Sequence, residues 1–208
     1  MHPEVLKSGQ RKIFERLEYF SDCYLVGGTA LALQLGHRIS EDFDFFRDKE
    51  FDKKFISKVY RVFKDYDIKI SFRHPEQLNF TVDSVKFNFV KYRYPLIFGL
   101  KKLKNVNLAP AQEIALMKAS TLGMRITLKD YVDLYFVLKE GIINLKEIIN
   151  GCEKKYQEEF NGRLFLEQLI SVKEAEEVRI EFLKKAVTQK EMQEFFEREV
   201  KKYKDGIL

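Results

Sequence analysis

The chain has 208 residues, of which 45% are hydrophobic and 33% are charged, and its formal net charge is +5. This share of apolar residues excludes a chain that is disordered throughout, and the presence of just two cysteines, Cys23 and Cys152, excludes a disulfide framework and a cysteine-rich metal site. The charged N-terminal segment does not resemble a signal peptide, and no apolar run reaches the roughly 18 residues of a membrane span, so we expect a soluble, cytoplasmic protein without a membrane partner.

The first half of the chain alternates between predicted helices and strands. Apolar periodicity, polar–apolar alternation and the placement of glycines set the predicted boundaries. In chain order the predicted elements are a helix at 3–20, a strand at 23–26, a helix at 29–35 that ends at Gly36, a strand at 42–46, a helix at 52–64, and strands at 67–73, 77–82 and 85–91, the last two joined by a turn at Asp83 and Ser84.

The second half is predicted to be helical almost to its end, after a loop bracketed by Pro95 and Pro110. The predicted helix boundaries in this half are two N-caps, Asn144 and Thr188, and two breaks, Gly141 and Gly151. The chain is therefore predicted to be an α+β protein with two domains, an α/β domain at 1–104 and an all-helical domain at 105–208.

The positive charge is concentrated in the first half, where residues 1–104 carry +6 while residues 105–208 carry −1. No acidic residue lies between Ser84 and Gln112, and aromatic residues alternate with the basic ones there. The ordinary interpretation is a solvated surface, and the functional one is a surface for an anionic substrate such as RNA. The candidate RNA-binding residues are Lys91, Arg93, Lys101, Lys102 and Lys104.

Residues 25–46 have the order strand, Gly-Gly, helix, loop and Asp-Phe-Asp. Gly27 and Gly28 lack a Cβ atom and let a ligand approach the backbone, and the N-terminus of the following helix suits a phosphate. Asp42 and Asp44 lie two residues apart on a predicted strand, so their carboxylates share one face. Such a pair suits Mg²⁺, which in turn would bind a nucleoside triphosphate.

Each part of this stretch also has an ordinary interpretation. A lone Gly-Gly is usually a turn, and a lone Asp-x-Asp is usually a solvated strand face. The Thr29 hydroxyl is expected either to bind phosphate or to cap the helix. The joint arrangement is more specific than its parts, because one short helix joins them and Arg38 and Ser40 immediately precede the aspartates.

These residues resemble motif I of the nucleotidyltransferase superfamily, and the fuller form Gly-Gly-Thr-Ala-Leu…Gly-His-Arg-x-Ser-x-Asp-Phe-Asp is similar to the nucleotidyltransferase toxins of type IV toxin–antitoxin systems, the AbiEii/AbiGii abortive-infection family. A second segment, Glu113-x4-Lys118, Arg125 and Lys129-Asp130-x2-Asp133, resembles the helical motifs of that family. The resemblance covers roughly residues 10–140, and it implies a polymerase-beta-like mixed sheet with helices.

The resemblance also implies a function. It implies an enzyme that uses Mg²⁺ or Mn²⁺ to transfer a nucleoside monophosphate from a nucleoside triphosphate to an RNA acceptor, such as the tRNA 3′ end, and whose toxicity an antitoxin protein relieves. The implied catalytic residues are Asp42, Asp44, Lys118 and Asp133; the implied nucleotide-binding residues are Gly27, Gly28, Thr29, Arg38, Ser40, Lys118 and Lys129; and the implied metal ligands are Asp42, Asp44 and Asn88.

Lys118 has a physical interpretation of its own, because it lies in an apolar helical segment. A lysine there must extend to solvent or find an anionic partner, and the candidates are a triphosphate, Asp133 and Asp42. Lys129 and Asp133 are four residues apart and are predicted to pair across one helical turn.

Asn88 departs from the superfamily pattern, which has a third carboxylate on a later strand. Phe87 and Phe89 flank Asn88 as Phe43 and Phe45 flank Asp44, so the register matches. An amide offers a carbonyl oxygen but no charge, and it is no general base. Besides an active RNA-modifying enzyme, this leaves open a degenerate member that binds without turnover, a small-molecule (antibiotic-type) nucleotidyltransferase, and a non-catalytic module that binds RNA or protein.

Overall fold

The computed structural model describes residues 1–122 and 124–206, and within these the strands form one mixed sheet. The strands are β1 (Tyr24–Val26), β2 (Phe43–Arg47), β3 (Ile68–His74), β4 (Gln77–Val82), β5 (Val85–Lys91), β6 (Lys101–Leu103) and β7 (Val106–Leu108). Their order across the sheet is β3-β4-β5-β2-β1-β7-β6, with β2 parallel to β5 and β1 parallel to β7. The predicted strands at 77–82 and 85–91 are confirmed residue for residue.

The helices of the described residues fall before, between and after these strands. The α-helices are α1 (Ser8–Phe14), α2 (Gly27–Leu35), α3 (Lys53–Val62), α4 (Ala111–Leu122), α5 (Leu128–Lys139), α6 (Leu145–Tyr156), α7 (Gly162–Leu169) and α8 (Gln189–Asp205). Short 3₁₀ helices lie at Pro3–Val5, Glu15–Phe20, Gln157–Glu159 and Val172–Glu174. None of the helices within residues 1–122 and 124–206 is long and apolar enough to cross a bilayer.

Phenylalanines hold one face of the sheet. Phe43 pairs with Phe87 and Phe45 with Phe89 across β2 and β5, and all four rings are buried. The Phe45 and Phe89 rings stack with centroids 4.9 Å apart, and α3 packs on the same face through Phe55, whose ring lies 5.3 Å from that of Phe89. Because side chains alternate along a strand, the residues between these phenylalanines, including Asp44 and Asn88, lie on the opposite face.

The turn between β4 and β5 explains why the register is fixed. Asp83 and Ser84 have φ values of 46° and 70°, the left-handed pair that a two-residue hairpin needs. The Asp83 carboxylate accepts the backbone N–H of Asp67 at 3.0 Å, which ties β3 to the same turn. The predicted hairpin turn is confirmed, and the Asp83 side chain serves it.

Three sequence-based predictions were wrong in detail. The predicted helix at 3–20 is divided into two 3₁₀ helices and α1. The predicted loop between Pro95 and Pro110 contains the hairpin β6–β7, whose strands of three residues are too short to show periodicity. Gly151 does not break a helix but lies inside α6, where a Cβ would come within 2.9 Å of the Leu116 side chain.

The predicted N-caps of the second half are confirmed. The side chains of Asn144 and Thr188 accept the N–H groups of Glu147 and Glu191, and both glutamates bond back, completing two capping boxes. Gly141 has a φ of 66° and lies in the turn after α5, as predicted. The C-terminal half is less helical than expected, because residues 175–188 are mostly extended or irregular between α7 and α8.

The chain divides into two compact units, and the short segment 94–98, which interrupts the first unit in sequence, belongs to the second. The first unit comprises residues 1–93 and 99–110, and the second comprises 94–98 and the chain from 111 onward. This division falls later than the boundary predicted after residue 104, because β6 and β7 complete the sheet of the first unit.

A buried ion pair holds residues 94–98 within the second unit. Glu113 and Lys155 lie 2.6 Å apart, and both side chains have zero exposure. The Glu113 carboxylate also accepts the N–H groups of Ile97 and Phe98, each at 2.9 Å, and the Lys155 ammonium donates to the carbonyl oxygen of Pro95 at 2.5 Å.

Candidate active site

The two predicted metal-binding aspartates lie at the start of β2. Asp42 directly precedes the strand and Asp44 is its second residue, and both side chains are half-buried. Asp44 is paired with Val26 of β1 on one side and with Asn88 of β5 on the other, which places it in the centre of the sheet. A carboxylate in this position is held by three hydrogen-bonded strands, so its backbone is rigid.

The Gly-Gly pair is required by side chains of the protein itself. Gly27 has a φ of 69°, and a Cβ built there would lie 2.5 Å from Oδ2 of Asp44. A Cβ on Gly28 would lie 2.5 Å from Nη2 of Arg38 and 2.9 Å from Oγ of Ser40. The first turn of α2 therefore has the Asp44 carboxylate against Gly27, and the guanidinium and hydroxyl against Gly28.

The Thr29 hydroxyl makes a hydrogen bond that the sequence does not predict. It donates to the backbone carbonyl of Asp42 at 2.5 Å, the Thr29 side chain is fully buried, and α2 has no side-chain N-cap bond. The helix-capping interpretation is therefore wrong. Thr29 instead fixes the backbone of Asp42 relative to α2.

Asn88 lies beside Asp44, as the flanking phenylalanines predict. The two residues are register partners, and Nδ2 of Asn88 donates to Oδ1 of Asp44 at 2.8 Å. The strand alignment inferred from Phe87 and Phe89 is confirmed. A carboxylate in place of Asn88 would put a second negative charge beside that of Asp44. The amide instead donates a hydrogen bond to Asp44, so that Asp44 alone carries the negative charge of the pair.

The side-chain oxygens present fit one divalent cation. Mg²⁺ in nucleotide sites is typically held by one or two carboxylates together with phosphate oxygens of the substrate. Within residues 1–122 and 124–206, no group of three or more His, Cys, Asp or Glu side chains is placed to hold a metal. The candidate donors are the carboxylates of Asp42 and Asp44 and the amide oxygen of Asn88, and two carboxylates suit a cation whose other ligands come from phosphate oxygens.

In the second unit, Lys118 has the anionic partners that its apolar surroundings demand. Its Nζ lies 2.5 Å from Oδ1 of Asp130 and 2.7 Å from Oδ2 of Asp133, and both carboxylates are buried on α5. Arg125 contacts the other oxygen of Asp130 at 3.3 Å. Asp130 was not among the predicted site residues, although its spacing three residues before Asp133 places both on one helix face.

Asp133 pairs with Lys118 and not with Lys129, the partner that the sequence predicts. Lys129 is exposed, and Asp133 is paired across the helices with Lys118. The two residues are four apart in sequence, but the buried carboxylate is oriented toward α4.

The predicted RNA-binding residues have unequal surroundings. Lys91 is held between Glu50 and Glu76, each at 3.1 Å, and these hydrogen bonds raise the pKa of its ammonium. Lys104 pairs with Glu15 at 2.8 Å, and Arg93 is exposed. Lys101 and Lys102 are exposed on β6, the edge strand of the sheet.

Neither cysteine suits nucleophilic catalysis. Burial raises the pKa of Cys23 to about 12, and it raises the pKa of Cys152 as well. A thiol with so high a pKa stays protonated near neutral pH, and the thiolate is the reactive form.

Most partners that lie far apart along the chain carry no signal in the sequence. Lys155, which pairs with Glu113, is 42 residues away from it, and no spacing rule connects positions at that distance. The Asp44–Asn88 pair spans 44 residues but could be found, because matching phenylalanines mark the register on both strands.

Comparisons with known proteins agree with this arrangement of the first unit. Residues 11–104 match the family described as nucleotidyl transferase AbiEii toxin, type IV TA system. An uncharacterised protein of Aquifex aeolicus (strain VF5) is 35% identical over 205 residues, which cover 95% of this chain and 97% of the relative. The chain belongs to the AbiEii nucleotidyl transferase toxin family.

Two solved structures share the fold of this chain. An H. pylori protein described as a nucleotidyltransferase superposes with a TM-score of 0.59 at 18% identity, covering 95% of this chain and 96% of its own. JHP933 from Helicobacter pylori superposes with a TM-score of 0.54 at 16% identity, covering 97% of each chain. The predicted fold class, a mixed nucleotidyltransferase sheet followed by helices, is confirmed.

Proposed function

We propose that this AbiEii family member transfers a nucleoside monophosphate from a nucleoside triphosphate to a hydroxyl of an RNA acceptor, with Mg²⁺ or Mn²⁺ held by Asp42 and Asp44. The observation that carries the proposal is the convergence of the Asp44 carboxylate, the Gly27 backbone and the Asn88 amide at the N-terminus of α2. The family is described as the toxin of a type IV toxin–antitoxin system. The protein partner in this proposal is therefore an antitoxin that relieves the toxicity of this chain.

The proposed reaction is in-line attack of the acceptor hydroxyl on the α-phosphorus, with pyrophosphate as the leaving group. When bound, the divalent cation supplies charge neutralisation and activates the attacking oxygen. Asp42, just before β2, and Asp44, on β2, would hold it, and Asn88 orients Asp44. The free N–H groups at the start of α2 and the guanidinium of Arg38 bind phosphate oxygens, because both present positive charge beside Gly28.

The roles that the family resemblance implies for residues of the second unit are part of the same proposal. Lys118 binds the nucleotide and Asp133 assists catalysis, with Lys129 as a further phosphate contact. Within the second unit, the Lys118 ammonium lies between the buried carboxylates of Asp130 and Asp133, which fix its position.

The experiment compares two aspartates of one segment. Asp44→Asn removes a proposed metal ligand, and Asp48→Asn, just beyond β2 and exposed, is the matched control. Each protein is incubated with Mg²⁺, each labelled nucleoside triphosphate in turn, and either total tRNA or a panel of small hydroxyl compounds. We expect Asp44→Asn to lose more than the ~10–100-fold typical of residues that only support a metal ligand, and Asp48→Asn to retain activity.

The same assay tests the alternative functions. Transfer to a small molecule and not to RNA would establish the antibiotic-type enzyme. Nucleotide or RNA binding by the unmodified protein with no transfer to any acceptor would establish the non-catalytic module, and full activity of Asp44→Asn would contradict the proposed site.

A further inference from the structure

The sheet face that carries Asp44 continues away from it as a row of amides. Asn88 of β5 is the register partner of Asp44 on one side and of Asn79 in β4 on the other. The three side chains therefore lie in one line across β2, β5 and β4, on the face opposite the phenylalanine core. Gln77 extends the row, since its Nε2 donates to Oδ1 of Asn79 at 3.2 Å.

The same face ends at an exposed aromatic ring on the edge strand. Phe72 of β3 is the register partner of Asn79, and its ring is 47% exposed, which is unusual for a phenylalanine in a sheet. Thr81 and the exposed Lys86 pair beside this row. We call this surface the amide face, and it comprises Phe72, Gln77, Asn79, Thr81, Lys86 and Asn88.

The chemistry of the amide face matches unpaired nucleotides. Asn and Gln side chains offer both a donor and an acceptor to the edges of bases, and an exposed aromatic ring stacks on them. From Asn88 to Phe72 the row contains no carboxylate, so an anionic backbone meets no repulsion, while Lys86 adds one positive charge. A polycationic small molecule would need acids here, and the amide face supplies none in its row.

The size of the face limits what it can bind. Strands in a sheet are about 4.8 Å apart, so the row from Asp44 to Phe72 crosses three spacings, or about 14 Å. Four-stranded sheet surfaces that stack RNA in other proteins hold about two or three bases. The amide face begins at the proposed catalytic carboxylate, so a strand of this length lying on it would present its terminal hydroxyl at Asp44.

We propose that the amide face binds the last two or three unpaired nucleotides of the RNA acceptor, with Phe72 stacking on a base and Asn79 and Gln77 contacting base edges. This inference rests on the proposed function for the identity of the acceptor. It goes beyond that function by assigning the acceptor's end to residues of β4 and β3, which the motifs do not include.

The test measures binding without nucleotide or metal, so that it is independent of catalysis. The probe is a short fluorescein-labelled single-stranded RNA with a free 3′ hydroxyl, titrated at fixed low salt. Phe72→Ala removes the ring, and Asn79→Asp keeps the oxygen that Gln77 donates to but adds a negative charge. The matched controls lie on α3, which packs on the other face: Tyr60→Ala, an aromatic that is 48% exposed, and Ser57→Asp, at an exposed serine.

We expect Phe72→Ala to weaken RNA binding about 5- to 150-fold, the range for loss of one base-stacking ring. Asn79→Asp should weaken it about tenfold or more, because a carboxylate then faces the RNA backbone. Tyr60→Ala and Ser57→Asp should bind within about twofold of the unmodified protein, because both residues lie on the other face of the sheet.

The outcomes separate this inference from the proposed function. Loss of RNA binding in Phe72→Ala and Asn79→Asp supports the amide face even if no nucleotide is transferred to any acceptor. RNA affinity equal to that of the controls overturns it even if transfer is robust, as does a protein that binds no single-stranded RNA. The inference is also overturned if both variants lose the binding of a partner protein but retain their affinity for RNA.

Discussion

Asn88 donates to Asp44 at the position where the superfamily resemblance predicts a third carboxylate. If it lies in the metal site, Asn88→Asp should bind Mg²⁺ or Mn²⁺ more tightly and transfer at least as fast, because hard cations prefer charged oxygens. Without metal, two carboxylates would repel each other at this distance. We therefore expect the thermal midpoint of the variant to fall in EDTA and to rise with added Mg²⁺ more steeply than that of the unmodified protein.

Calorimetric titration of metal into both proteins measures this directly. Equal metal affinities would place Asn88 outside the site and leave it the role of orienting Asp44. The variant also decides between an active enzyme and a degenerate one, since activity that appears only with Asp at position 88 would mark the natural chain as a binder.

Thr29 acts on the site through the backbone of Asp42. Thr29→Val keeps the shape of the buried side chain but loses the donor, so it should lower metal affinity and transfer by about 10- to 100-fold, as expected for a residue that supports a ligand. Thr29→Ser keeps the hydroxyl and should recover most of both. If Thr29→Val and Thr29→Ser were equally impaired, packing of the methyl group rather than the hydrogen bond would be the cause.

At the scale of elements, the sequence predicted best where local patterns repeat. Alternation in β4 and β5, with turn residues between them, defined both strands, and the phenylalanines that bracket Asp44 and Asn88 defined their pairing. The hairpin β6–β7 was missed, because three-residue strands with two adjacent lysines carry no periodicity. For Lys118, the sequence predicted only that an anionic group must lie beside it, because the surrounding helical segment is apolar. It did not decide among Asp133, Asp42 and a triphosphate.

The edge strand β6 bears the two predicted RNA contacts that remain exposed, Lys101 and Lys102. Changing both to Gln should weaken binding of total tRNA and reduce its salt slope by roughly 0.7–0.9 per lost phosphate contact. The matched control is Lys53→Gln with Lys54→Gln, adjacent exposed lysines at the start of α3. Because these lysines lie three strands from Asp44 on the side away from the amide face, affinity for the short single strand should not change. An unchanged tRNA slope would leave Lys101 and Lys102 as solvated lysines that protect a sheet edge.

At the scale of the whole molecule, the Glu113–Lys155 pair holds residues from three parts of the chain together. Lys155→Ala should lower the free energy of unfolding by about 3–5 kcal/mol, because a buried carboxylate loses its partner. Lys154→Ala, the exposed neighbour on α6, should change it by less than about 0.5 kcal/mol. Urea denaturation gives both values, and similar stabilities of the two variants would show that water or another group replaces the ammonium.

The order in which the chain crosses between units has a consequence for translation on the ribosome. Leu25 in β1 pairs with Leu108 in β7, so roughly 80 further residues must be synthesised before that side of β1 is covered, which takes on the order of 4–16 s at typical elongation rates. Residues 94–98 emerge earlier but must wait for Glu113 and Lys155. The nascent chain therefore exposes an unpaired edge of β1 for seconds, and a chain that is interrupted in that interval keeps this edge open to proteases.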